Sequence, residues 1–279
     1  MGTYSETTEI ARSYYNSSDA DIFYTTIWGG EDLHLGIYED DDDTIFVASR
    51  RTIDQMAQRA SQLAQEARVL DLGAGFGGTA RHLARQYGAR VTCLNLSEVE
   101  NERNRRMSAE AGLADRITVV DGSFQDLPFP NSSFDVVWSQ DAILHSDDRA
   151  RVLREAARVL RPGGEIVFTD PMQSDACPPS VLDPILERIH LGSLGSPEFY
   201  RATAVELGLE VVSIEDRTPH LIRHYATVLR ETERREADLA GRVSSDYIAN
   251  MKRGLARWVD GGERGWLAWA IFCFRKPTQ

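Results

Sequence analysis

The sequence predicts an α/β fold: a doubly wound, mostly parallel, seven-stranded sheet with a helical cap. Three observations carry that prediction. From Val69 onward short apolar runs alternate with helical patterns, the order that lays helices on both faces of a parallel sheet. At the head of this alternation, Val69-Leu70-Asp71-Leu72-Gly73-Ala74-Gly75-Phe76-Gly77-Gly78 joins an apolar strand to a helix through a glycine-packed turn. Glycine is needed where such a turn is tight and where a ligand lies against bare backbone. Finally, 279 residues at 42% hydrophobic and 27% charged suit one α/β domain with additions.

The elements follow in order. Arg68–Leu72 reads as the first strand, with a helix over about Gly78–Tyr87. Arg90–Asn95 is the second strand, with a charged helix over about Glu98–Gly112. Ile117–Asp121 is the third. Phe134–Ser139 is the fourth, followed by a helix around Arg149–Leu160. Gly164–Asp170, Glu210–Glu215 and Trp266–Phe274 complete the sheet. Before it, residues 1–66 form an aromatic-rich leader and a helix over about Ile45–Ala67. Residues 67–279 form the core, with helical insertions around 172–208 and 217–262 expected to cap the site. No long Gly/Ser linker or repeat divides the chain, so one domain with a lid is expected. On such a sheet a ligand binds at the carboxyl ends of the strands, where strand order reverses.

Composition narrows the function. A formal charge of −12 argues against nucleic acid, whose phosphates need a basic surface. The only lysines are Lys252 and Lys276, and Glu39-Asp40-Asp41-Asp42-Asp43 reads as a hydrated acidic run. There is no apolar run long enough for a membrane helix, and Met1–Glu6 lacks the basic and apolar regions of a signal peptide. A cytoplasmic protein off the membrane is expected. Cys93, Cys177 and Cys273 are far apart, as reduced thiols would be, and no close ligand spacing suggests a metal.

Gly73, Gly75 and Gly78 also satisfy the G-x-G-x-x-G dinucleotide pattern, a weak signal alone. The rest of the chain discriminates. Asp71-Leu72-Gly73-Ala74-Gly75, then Leu127-Pro128-Phe129 with Ser133-Phe134-Asp135, then Leu160-Arg161-Pro162-Gly163-Gly164 resemble successive motifs of class I S-adenosylmethionine-dependent methyltransferases, over about residues 67–172. The resemblance implies a Rossmann-like methyltransferase sheet and S-adenosylmethionine as cofactor. That cofactor needs an acceptor for its ammonium, donors for its carboxylate, partners for two ribose hydroxyls and a flat surface for adenine. Asp71 suits the ammonium, and Gly73 and Gly75 admit the ligand to the backbone. Asn95 ends the second strand roughly twenty positions after Gly73, where a ribose-binding acid is usual. Leu96 follows it. After the third strand, Gly122-Ser123-Phe124 offers a turn, a hydroxyl and a face for adenine. Gln140 follows the fourth strand.

Trp138–Ser146 carries a more specific signal. Asp141 and His145 stand four apart, so a helical turn would put both on one face at the reacting edge of the sheet. His145 can orient or deprotonate a nucleophile near neutral pH. The leader adds Tyr14, Tyr15, Phe23, Tyr24 and Trp28 beside Gly29-Gly30. Their rings would cover a methylated ammonium by cation–π attraction. Tyr14–Asp32, Asn95-Leu96-Ser97-Glu98, Ser139–Ser146 and Gly265-Trp266-Leu267 resemble the glycine, sarcosine and dimethylglycine N-methyltransferases that make betaine. The phosphoethanolamine methyltransferases look like more distant relatives, with the same Asp/His spacing and a tyrosine like Tyr24. Their tyrosine partner for the histidine falls by spacing at Asn16, one position from Tyr15.

The resemblance implies a small-molecule amine as substrate. Asp141, His145 and Tyr15 are the candidate catalytic residues, Tyr24 joins the candidate cofactor set, and Trp28, Arg188, Tyr200 and Tyr225 are candidates for the substrate. Arg188 is the first choice for gripping a carboxylate, with Arg50 and Arg51 behind it; His224 is a further cap candidate. Three alternatives stand: a phosphoethanolamine-type amine, a quinone- or tocopherol-type ring, and a non-catalytic nucleotide-binding module. Preference among glycine, sarcosine and dimethylglycine stays open, since single methyl groups separate by only about 1–3 kcal/mol in apolar pockets, as does oligomeric state.

Overall fold

A computed structural model describes residues 6–187, 189 and 191–278. Seven strands form one sheet: β1 (Arg68–Leu72), β2 (Arg90–Asn95), β3 (Ile117–Asp121), β4 (Phe134–Gln140), β5 (Leu160–Gln173), β6 (Glu210–Asp216) and β7 (Leu267–Arg275). Their order is β3-β2-β1-β4-β5-β7-β6, with β7 antiparallel to both of its neighbours and all other pairs parallel. Strand order therefore reverses between β1 and β4. The glycine turn after β1 and the segment after β4 meet there, where the sequence placed the site.

Alternate strand residues enter two cores. Val69, Val91, Val136, Trp138, Val167 and Ile271 pack on one face. Leu70, Leu94, Val137, Phe168 and Phe272 pack on the other. The helices are α1 (Glu6–Tyr15), α2 (Ser18–Ile27), α3 (Ile45–Ala57), α4 (Gly78–Tyr87), α5 (Glu98–Glu110), α6 (Arg149–Val159), α7 (Asp183–Leu186), α8 (Pro197–Glu206), α9 (Thr218–Arg234), α10 (Glu236–Leu239) and α11 (Ser245–Glu263). Several starts are signalled by capping hydroxyls. Ser17, Thr44, Ser97, Ser196 and Ser244 each accept a hydrogen bond from an N–H in the first turn. A cap of this kind is worth about 1 kcal/mol. None of the described helices is long and apolar enough to cross a membrane.

Among the boundaries that differ from expectation, two bear on the site. The helix expected over Ile45–Ala67 stops at Ala57. The fully buried Glu165 carboxylate takes the Ser61 hydroxyl (2.7 Å) and the Gln62 N–H (3.1 Å), which turns the chain out of the helix. Strand β5 runs on to Gln173, beyond the expected Asp170, because it stays paired with β7 as far as Leu267. That extension carries Pro171 up to the carboxyl edge.

Candidate active site

Two cavities open at the carboxyl edge. The first, about 900 Å³ of empty space partly open to solvent, is lined by Asp71, Gly73, Gly75, Asn95, Leu96, Phe124 and Gln140 among others. The second, about 830 Å³, lies under α1, α2, α9 and α11 and is lined by Tyr14, Tyr24, Trp28, Tyr225, Met251, Leu255 and Trp258 among others. Tyr15, Leu33, Asp141 and His145 line both. They form a waist through which the two spaces meet.

The first cavity has the chemistry of an amino acid joined to a nucleoside. Asp71 is buried and its Oδ2 has no hydrogen-bond partner; burial pushes its pKa up to about 7. Gln140 accepts from Thr79 Oγ1 (2.7 Å) and Trp138 Nε1 (2.9 Å), while its buried Nε2 has no partner. Asp32 and His34 line the same space as a linked set: Arg50 Nε lies 3.0 Å from Asp32 Oδ2, and His34 Nε2 lies 3.8 Å from Asp32 Oδ1. Burial opposes a charged His34, but the adjoining Asp32 and Asp141 hold its pKa above the ordinary value. Unpaired carboxylate oxygens suit an ammonium, and unpaired N–H donors suit a carboxylate. Donors and acceptors left unpaired in one cavity thus fit the zwitterionic end of S-adenosylmethionine. Phe124, 8% exposed, supplies an apolar wall.

The glycine turn is specified twice over. Gly73 has φ +74°, and a Cβ there would meet the Ala142 Cβ at 2.4 Å. Its bareness thus serves the packing of the two loops as well as any ligand. A Cβ on Gly75, at φ +50°, would come within 3.3 Å of Leu33. Gly122 and Ser123 do not line the cavity. The Gly122 N–H donates to Asn95 O at 3.1 Å, and Ser123 Oγ accepts from Gln125 N at 3.2 Å, so both shape the turn behind Phe124.

Sequence reasoning missed Glu100. Asn95 Nδ2 donates to Glu100 Oε2 at 2.8 Å, and burial raises the Glu100 pKa to about 7. A carboxyl group absent from the end of β2 is therefore present beside it, supplied from the first turn of α5. Ser97-Glu98-Val99-Glu100 is a capping-box pattern, which was the available signal; the Glu100 side chain turns to Asn95 and the cavity, while its N–H donates to Ser97 Oγ at 3.1 Å.

At the waist, Tyr15 Oη and His145 Nε2 are 3.0 Å apart and their rings meet edge-on. The tyrosine partner of His145 is thus Tyr15, whereas Asn16 binds Ser97 and Glu98 outside. Burial, then the charge of Arg149, lowers the His145 pKa to about 4, so its imidazole is neutral at pH 7. Asp141 does not share a helical turn with it. Strand β4 ends at Gln140, Asp141 adopts φ +53°, and His145 stands on a 3-10 turn, Ile143–His145. Asp tolerates the left-handed region better than most residues. Here it is held by its N–H to Thr169 O (2.9 Å) and its carboxylate to Leu35 N (2.6 Å) and Trp269 Nε1 (2.8 Å).

The second cavity is an aromatic box. Tyr15 stacks near Tyr24 (ring centroids 6.1 Å), Tyr24 meets Trp28 (5.3 Å), and Tyr225 leans on Trp258 (5.0 Å). Tyr24, expected at the cofactor, lines this space instead, because α2 runs over the far side of the waist. Tyr200 reaches neither cavity. It is fully buried beside Phe168 and Phe272, and its hydroxyl donates to Asp170 Oδ2 at 2.6 Å. His224 is a core residue: its Nδ1 accepts from Gly36 N (2.9 Å) and lies 3.0 Å from Tyr38 Oη. Arg50 pairs with Asp32 and Glu31, and Arg51 with Asp43 and Glu39, so neither reaches the box. Arg188 lies outside the described residues; its neighbour Ile189 lines the box. Among the described residues no group of three His, Cys, Asp or Glu is placed to hold a metal.

Comparison with known proteins fits this site. A family described as a methyltransferase domain matches residues 70–168. A sarcosine/dimethylglycine N-methyltransferase of Halorhodospira halochloris is 57% identical over 96% of this chain and 96% of its own. One of Aphanothece halophytica is 52% identical over the same shares. A solved structure from Galdieria sulphuraria, described as a sarcosine dimethylglycine methyltransferase, is 44% identical and superposes with a TM-score of 0.90 over 95% of this chain and 100% of its own. The chain belongs to the sarcosine/dimethylglycine N-methyltransferase family of class I S-adenosylmethionine-dependent methyltransferases.

Proposed function

We propose that the protein transfers the methyl group of S-adenosylmethionine to the nitrogen of sarcosine and dimethylglycine, ending at betaine. The observation that carries this reading is the waist. The cavity lined by Asp71, Gly73 and Asn95 and the aromatic box meet at Tyr15, Asp141 and His145. The transfer needs a neutral amine aligned in a dry site. Asp71, Gln140, Asn95 and Glu100 would hold the donor's polar ends, with Phe124 against its base. Bound there, S-adenosylmethionine supplies an electrophilic methyl group.

The protein's own residues do the rest. Burial keeps His145 uncharged, and Tyr15 Oη lies within hydrogen-bond reach of its Nε2. An amine proton passes to Tyr15 Oη as the Tyr15 proton moves to His145 Nε2. With a pKa of about 4, His145 is a weak acceptor, so it takes only a proton that desolvation has already loosened from the amine, and it passes that proton on to solvent. The same desolvation disfavours the charged form of the bound amine. As nitrogen gains charge, Tyr24, Trp28 and Tyr225 face it with π-clouds, worth about 2 kcal/mol when desolvated. Asp141 adds negative charge at the waist. Arg188 is our candidate for the carboxylate, since Ile189 beside it lines the box.

The test is methyl transfer from labelled S-adenosylmethionine, with glycine, sarcosine, dimethylglycine and phosphoethanolamine offered separately. Label in betaine from dimethylglycine is expected, with sarcosine methylated by the same site. Transfer to phosphoethanolamine alone would overturn the reading.

A further inference from the structure

His145 stands in the waist, but two side chains that hold the peptide before it lie outside both cavities. The preceding residue, Leu144, has each of its backbone polar groups taken by a buried ionisable side chain. Its N–H donates to Asp170 Oδ1 at 2.9 Å. Its carbonyl, part of the peptide link to His145, accepts from Arg149 Nη2 at 2.8 Å. Asp170 is fully buried and Arg149 nearly so.

Both clamps are themselves fixed. The second Asp170 oxygen accepts from the Tyr200 hydroxyl at 2.6 Å. Tyr200 cannot shift: its ring lies against Phe168 and Phe272, and against a glycine, Gly195, where an added Cβ would come within 2.8 Å of it. Arg149 is tied to Ser193 through its carbonyl (2.5 Å) and hydroxyl (3.2 Å). The other end of the loop is laced to the same strand, Asp141 N–H to Thr169 O at 2.9 Å. Burying a carboxylate beneath an apolar core is costly, and apolar side chains often replace such groups without loss of stability. A carboxylate kept there fits a need for exact placement, which apolar contacts supply poorly because they are non-directional.

We propose that Asp170, with Tyr200 and Arg149, is a positioning residue for the reaction, holding the Leu144–His145 peptide so that the imidazole meets Tyr15 at the waist. None of the three lines either cavity, so they act through His145. The inference rests on the role given to His145 above.

A double-mutant cycle tests it. Asp170→Ala is made alone and together with His145→Ala, and kcat, KM for dimethylglycine, cofactor affinity and Tm are measured. Misplacement of a catalytic group by about 1 Å costs roughly 100-fold. Asp170→Ala is therefore expected to lower kcat by about 10–100-fold while cofactor affinity stays within about twofold. Asp170→Asn keeps an oxygen for the Leu144 N–H and restores most of kcat. In the His145→Ala background, Asp170→Ala costs less than about twofold more. Full kcat in Asp170→Ala, or the same fractional loss in both backgrounds, overturns the proposal. Should Asp170→Ala fail to fold, Tyr200→Phe removes only the hydroxyl donor, and the cycle is read on it in the same way. If His145→Ala alone keeps wild-type kcat, the fault lies in the role of His145 itself, a result distinct from lost coupling.

Discussion

Cofactor binding should expel a proton from Asp71. In the cofactor-free protein, burial lifts its pKa to about 7, and its Oδ2 has no partner. An ammonium brought to that oxygen favours the ionised form and lowers a carboxyl pKa by about 1–3 pK. At pH 7 the free carboxyl is about half protonated, so about half a proton leaves per cofactor bound. At pH 6 the figure is about 0.4–0.9 across that range of shifts, and at pH 8 about 0.1. The sign is set by the free protein: it holds a proton that the ligand must displace, so binding weakens as pH falls. Between pH 8 and pH 6 affinity drops about 5–10-fold, or about 1–1.4 kcal/mol. Titration calorimetry at pH 7, in two buffers of different ionisation enthalpy, counts the protons directly. Asp71→Asn keeps an acceptor oxygen but cannot titrate, so release and pH dependence should both shrink. Glu100, in the same cavity and also at about 7, is separated by Glu100→Gln. Equal proton release from wild type and Asp71→Asn would refute the reasoning.

Other expectations follow from the packing. Gly73→Ala places a side chain at φ +74° and 2.4 Å from the Ala142 Cβ. It should lower stability by about 1–3 kcal/mol and loosen the cofactor, and an unchanged Tm would contradict the turn's account. Trp28→Ala removes one wall of the aromatic box. KM for dimethylglycine should rise about 5–30-fold, equivalent to about 1–2 kcal/mol, with cofactor affinity unmoved; an unaltered KM would take Trp28 out of substrate binding.

Much of the fold was legible because strands buried on both faces read as apolar runs. Glycine and the Arg161-Pro162-Gly163-Gly164 turn marked the joints. Helix ends set by long-range contacts were not legible: nothing near Ala57 announces that Glu165, far along the chain, will bend it. Asp71, Asn95, Leu96, Phe124 and Gln140, expected at the cofactor from their places in or just after strands, line the first cavity. Asp32 and His34 were not expected there, since they sit in a loop without periodicity. Tyr15 illustrates the limit of counting along a chain. Spacing pointed to Asn16, but which residue of α1 faces the waist depends on how that helix seats against α2 and α11, a tertiary property. Tyr200 looked like a cap residue because an isolated tyrosine carries no mark of the strand aromatics that bury it.

The central claim is that transfer occurs at the waist, with Tyr15 and His145 handling the amine proton. Its most direct test is betaine formation from dimethylglycine by wild type, Tyr15→Phe and His145→Ala, each at saturating cofactor, beside the cofactor affinity of each. General base contributions run to about 100–10,000-fold. Both variants should bind the cofactor like wild type yet lose at least about tenfold in turnover. Wild-type turnover in both would contradict the account and leave the waist a passage without chemistry of its own.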